Sequence, residues 1–162
     1  MADQEKAPIW YFNPNSINPT YFSISNEGKS IELNNGHYYC IECLPKLTEE
    51  ENEIIFRIDQ LSADVCFGVV NKMSGTNWNT NQPRYWTADG RICDGNNGPI
   101  KSLYSYGKTN DIIKISINSK QQMDVFLNGD LVSTCQLYLE GDCYFYVSCK
   151  NPGDKVTILS HE

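Results

Sequence analysis

Apolar and polar residues alternate along this chain with a period of two, and helical spacing is scarce. In "DIIKISIN" (111–118), Ile113, Ile115 and Ile117 fall on one side, with Lys114, Ser116 and Asn118 on the other. That is the pattern of a strand with one face in a core, because successive strand side chains point to opposite faces. The same reading predicts strands in "YFSIS" (21–25), "KSIEL" (29–33), "GHYYCIEC" (36–43) and "NEIIFRID" (52–59). Further strands are expected in "DVCFGVVN" (64–71), "RYWTADGRICDG" (84–95), "QQMDVFLNGDLVSTCQL" (121–137), "DCYFYVSC" (142–149) and "KVTILSH" (155–161).

Turn residues punctuate these segments. Asn128-Gly129 between two apolar runs predicts a two-residue hairpin with a type I′ turn, and Asp89-Gly90 predicts a second hairpin. Asn26-Glu27-Gly28, Asn34-Asn35-Gly36 and the run from Asn151 to Asp154 read as further turns. "NEIIFRID" and "DVCFGVVN" are expected to pair through the short link from Gln60 to Ala63. About eleven short strands joined by such links are antiparallel, since parallel neighbours need crossovers of a dozen residues or more. The class is all-β, two sheets packed face to face.

Length and charge narrow the picture. The 162 residues suffice for one domain, expected over 20–162, with residues 1–19 as an N-terminal arm packing on it or leading into it. A net charge of −7 and a pI near 4.8 argue against nucleic acid, which calls for clustered Lys and Arg. The densest charge run is acidic, Glu49-Glu50-Glu51 followed by Glu53, and reads as a solvated loop. No apolar stretch reaches membrane-spanning length and the start has no apolar leader, so an intracellular protein, cytoplasmic or nuclear, without membrane association is expected.

Reactive chemistry is hard to find. Seven cysteines include one CxxC, Cys40 and Cys43, whose members would face opposite ways on a strand. Cys66, Cys143 and Cys149 fall in apolar strands, where a free thiol behaves as a small hydrophobe. Reduced core thiols are expected, with no metal and no cofactor. His37 is the one histidine inside the folded region, and neither a nucleophile-elbow nor a phosphate-binding glycine pattern occurs. Glu32, Glu42, Asp59 and Asp124 lie in strands without forming a ladder of paired carboxylates. No catalysis is expected.

The order of the pieces resembles a SPRY domain. "ISNEGKSIEL" and "GHYYCIE" are similar to that family's early strands, "VCFGVV" to its Gly-Val strand, and "YWTADGRI" to the aromatic strand and Asp-Gly turn that follow. "YGKTNDIIKISIN", "MDVFLNG" and "CYFYVSC" resemble its later strand, hairpin and aromatic strand. The likeness spans roughly 20 to 160. Asn110 stands where the family has a glycine before Asp111, and the Trp-Glu-Val-Glu motif of PRY–SPRY proteins is missing. A plain SPRY-like module is therefore expected, without a PRY extension. The resemblance implies a bent antiparallel β-sandwich of the concanavalin-like jelly-roll type. It also implies a non-enzymatic adaptor that binds a peptide or folded protein partner through loops at one rim, often within ubiquitin-ligase or chromatin-type complexes.

In "RYWTADGRICDG", alternation puts Tyr85 and Thr87 on one face and Trp86 and Ala88 on the other, so one aromatic is expected in the core. The weakly patterned segment 71–83 carries Asn77 and Trp78, and loops 92–106 and 44–52 are expected beside it. Partner-binding candidates are therefore Asn77, Trp78, Tyr85, Asp89, Arg91, Tyr104 and Tyr106, because aromatic and Arg side chains are favoured interface anchors. The alternative is a lectin-like sandwich, with Trp78 or Tyr104 stacking on a sugar and "DGNNG" (94–98) holding hydroxyls. A hydrolase would need an accessible pair of acids in a cleft.

Overall fold

A computed structural model describes residues 10–16, 20–34, 39–60, 66–70, 84–87, 91–94, 99–102, 110–136, 142–149 and 152–159. Fourteen strands lie among them. The first seven are β1 (Tyr11–Phe12), β2 (Phe22–Ser25), β3 (Ser30–Leu33), β4 (Tyr39–Leu44), β5 (Glu53–Gln60), β6 (Cys66–Val70) and β7 (Arg84–Thr87). Then come β8 (Arg91–Asp94), β9 (Pro99–Ser102), β10 (Ile112–Ile117), β11 (Gln122–Leu127), β12 (Asp130–Gln136), β13 (Tyr144–Cys149) and β14 (Lys155–Leu159). They form two seven-stranded antiparallel sheets, ordered β1-β4-β13-β6-β7-β8-β9 and β12-β11-β10-β5-β14-β3-β2. The all-β sandwich read from alternation is the architecture observed.

Local turn chemistry acts as the sequence dictates. Asn128 and Gly129 both take positive φ, 50° and 92°, as a type I′ turn requires, and β11 pairs with β12 around them. The Asn128 side chain holds the turn: its Oδ1 accepts the Ile112 N–H at 2.8 Å and its Nδ2 donates to Asp111 at 3.1 Å. Between β2 and β3, Asn26, Glu27 and Gly28 also have positive φ.

Two expectations are corrected. β5 and β6 do not pair: β5 sits between β10 and β14 in one sheet, and β6 between β13 and β7 in the other. A short link can bridge two sheets as readily as two neighbouring strands, and each strand takes the partner whose core face matches its own. Next, β9 occupies part of the expected loop 92–106, pairing with β8. It is the last strand of its sheet and starts with Pro99, a position where the missing N–H costs no ladder bond. Part of the N-terminal arm packs on the sandwich. Tyr11–Phe12 pair with Cys43–Leu44, and the Trp10 and Phe12 side chains are buried.

The core lies between the inward faces. Phe56 of β5 sits 5.1 Å from Phe67 and 6.5 Å from Phe12, ring centre to ring centre, tying the two sheets together. Ile113 and Ile115 are fully buried, as their alternation implied, with Ile117 packed at the margin. The Thr157 hydroxyl donates to Asp59, so Ser30 is the donor in its 2.8 Å bond to Thr157, and Arg57 Nε reaches Asp59 at 2.6 Å.

Cys43 is a reduced thiol in this core. Burial first, and the neighbouring Glu42 carboxylate second, push its pKa well above the ordinary 9.0. Above that ordinary value the unfolded chain sheds a proton that the folded state keeps, so this thiol makes stability fall as pH rises. Cys43 is expected to resist a thiol reagent in the native protein and to react once the chain is unfolded, read by mass spectrometry of labelled peptides. Labelling of native Cys43 at the rate of an open peptide would refute its burial.

Candidate functional site

Strand register decides which loops meet. β6 ends at Val70 beside Tyr144, where β13 begins, and β5 begins at Glu53 opposite Ser116 near the end of β10. β4 ends at Leu44. Loop 45–52, the β10–β11 turn at 118–121 and the approach to β13 therefore converge at one end of the sandwich. Between them lies a groove of about 790 Å³.

The groove has an apolar floor and a polar rim. Val69 is fully buried, and Leu47, Ile117 and Cys143 are partly buried around it; Thr48, Glu49, Asn52, Asn118, Ser119 and Gln121 complete the lining. Cys143 was expected inside a strand. It stands one residue before β13 and faces this opening, its thiol pKa raised by partial burial and then by Asp142.

The walls are held by the backbone. Leu47 N–H donates to the Cys143 carbonyl at 2.8 Å, and Ile117 N–H to the Asn52 carbonyl at 3.0 Å, so loop 45–52 is stitched to both neighbours. Within the loop, Glu51 N–H donates to Thr48 Oγ1 at 2.9 Å and Asn52 Nδ2 to the Glu49 carbonyl at 2.9 Å. Across the groove, Asn118 Oδ1 accepts the N–H groups of Lys120 and Gln122 at 2.9 and 3.0 Å. Lys46 and Asp142 pair at 3.1 Å but are more than half exposed, so this bridge adds little.

Charge is uneven around the opening. Glu49 lines it, Glu50 and Glu51 follow in the loop, and Glu53 starts β5. Lys46 is offset by Asp142, and Lys120 is the other cation among the described residues of these three segments.

Of the partner-binding candidates, Asn77, Trp78, Asp89, Tyr104 and Tyr106 lie outside the described residues. Tyr85 sits in β7, opposite Gly68 and Cys93. Arg91 starts β8 opposite Ser102, at the end of the sheet where β6 begins, and so at the opposite end from the groove. Loop 44–52 does form a wall. The turn at 118–121 and Cys143 were missed, although the polar run "NSKQ" between two alternating strands is a turn signal. Glu42, Asp59 and Asp124 are each engaged by a neighbour: Asn13 at 2.7 Å, Arg57 at 2.6 Å and Thr134 at 2.7 Å respectively.

Neither sequence-family profiles nor curated protein sequences match this chain. Solved structures do. The SPRY domain of human HERC1 superposes with a TM-score of 0.76 at 18% identity, over 93% of this chain and 98% of that one. A human SPRY domain gives 0.71 at 18% identity over 85% and 94%. The PSpry domain of TRIM65 gives 0.72 at 12% identity over 94% and 92%.

Proposed function

The chain has the SPRY-domain fold, and from that premise we propose that it is a non-enzymatic protein-interaction module. It holds a peptide segment or a folded partner in loops at one rim of the sandwich, as a subunit or adaptor of a larger complex. The groove between loop 45–52 and turn 118–121 is the observation that carries this reading. Loops on a rigid β scaffold are where recognition resides, and walls already tied down lose little entropy on binding. Trp78, Asn77, Tyr104 and Tyr106 are proposed as further anchors. The sequence resemblance adds a ubiquitin-ligase or chromatin-type complex in the cytoplasm or nucleus as the proposed setting.

The test is affinity capture from cytosolic extract with mass spectrometry, comparing wild type with Ser119→Trp. Ser119 is exposed on the groove lining, so an indole there obstructs the opening without removing core packing. Wild type is expected to retain a defined set of proteins that Ser119→Trp loses at an unchanged melting temperature. Retention of nothing beyond bare resin, or strong signals on a glycan array in place of protein partners, would sink the reading.

A further inference from the structure

We propose that the groove takes a cationic peptide segment, seating one bulky apolar side chain on Leu47, Val69, Ile117 and Cys143 and an adjacent Lys or Arg against Glu49. This deepens the interaction-module reading and rests on it. Four apolar floor residues in an opening of about 790 Å³ favour a buried hydrophobic anchor over a wholly polar ligand. A floor alone would leave the occupant's charge open. Here the rim decides it: Glu49 is the charged residue among the described residues that line the groove, and Glu50, Glu51 and Glu53 stand beside it in the chain.

By sequence alone this acidic run reads as a solvated loop. The fold instead brings it to the lip of a concavity, because Leu47 is tied to Cys143 and Asn52 to Ile117. Among the described residues around the opening the cations are Lys46, paired with Asp142, and Lys120, against the carboxylates of Glu49, Glu50, Glu51 and Glu53. An acidic peptide or a phosphate group would meet net repulsion there, added to the −7 of the whole chain. A basic segment is attracted at long range and guided toward the floor, an effect that salt screens.

The experiment pans a phage-displayed library of random linear peptides on the wild-type chain. The enriched consensus is then synthesised and titrated by fluorescence anisotropy at low and high salt. The consensus is expected to place Lys or Arg next to a large apolar residue, with affinity falling as salt rises. Glu49→Lys and Leu47→Ala should each weaken binding by roughly tenfold or more, the scale of losing one interface anchor. Glu49→Lys should do so at an unchanged melting temperature, since that side chain is exposed. A neutral or acidic consensus, binding indifferent to Glu49→Lys, or no enrichment at all would overturn the proposal. If extract capture by the wild type still succeeds and is still lost in Ser119→Trp, this inference alone has failed. If capture fails as well, the interaction-module reading falls with it.

Discussion

Trp10→Ala is expected to cost about 3–5 kcal/mol, the range for emptying a buried aromatic site. The indole is 1% exposed, its ring meets Phe145 edge to face at 5.0 Å, and its N–H donates to the Glu53 carbonyl at 2.7 Å. Truncation opens a cavity between the sheets and leaves that carbonyl without its donor, a further penalty when the group is partly buried. Against a total stability of about 5–15 kcal/mol for a typical domain, this is a large share of the fold's reserve. Urea denaturation followed by circular dichroism should show a much lower midpoint. Trp10→Phe keeps one aromatic ring but loses the N–H and part of the indole's volume, so it should fall between wild type and Trp10→Ala. Removing residues 1–19 should be worse still, because it deletes Phe12 and β1 as well. A Trp10→Ala protein that melts like wild type would mean that residue 10 belongs to a loose arm.

Phe56→Ala is expected to be about as damaging, again about 3–5 kcal/mol. Phe56 lies on β5 in the middle of its sheet, and its ring packs on Phe67 and Phe12 of the opposite sheet. The strands on either side are hydrogen-bonded along their length, so the cavity has little room to collapse. Phe56→Leu should cost only part of this, since it refills much of the volume. Calorimetric melting would measure both; a loss below about 1 kcal/mol for the alanine variant would contradict the packing described. Trp10→Ala and Phe56→Ala should lower partner capture only as far as they lower the melting temperature and the folded fraction. Ser119→Trp should abolish it with the melting curve intact, and this contrast separates the site from the scaffold.

Much of the architecture was legible because strand alternation and turn chemistry are local. Ile113, Ile115 and Ile117 declare their shared face within seven residues, and Asn128-Gly129 declares its hairpin by the positive φ that both positions adopt. The resemblance to SPRY domains rested on the order of such local pieces, and the superpositions agree with it at the level of fold. Sheet membership is not local. β5 and β6 are joined by a short link yet lie in opposite sheets, because each strand's partners are chosen by pairing and burial across the whole chain. β1 is only two residues long and β9 starts with proline, so neither carries a periodic signal; long-range pairing alone makes them strands. The groove follows the same logic. Leu47, Val69, Ile117 and Cys143 are separated by dozens of residues and look like ordinary strand-end hydrophobes in the sequence. Antiparallel register puts the end of β6 beside the start of β13, and the end of β10 beside the start of β5, and that alone joins these four residues and the acidic loop at one opening.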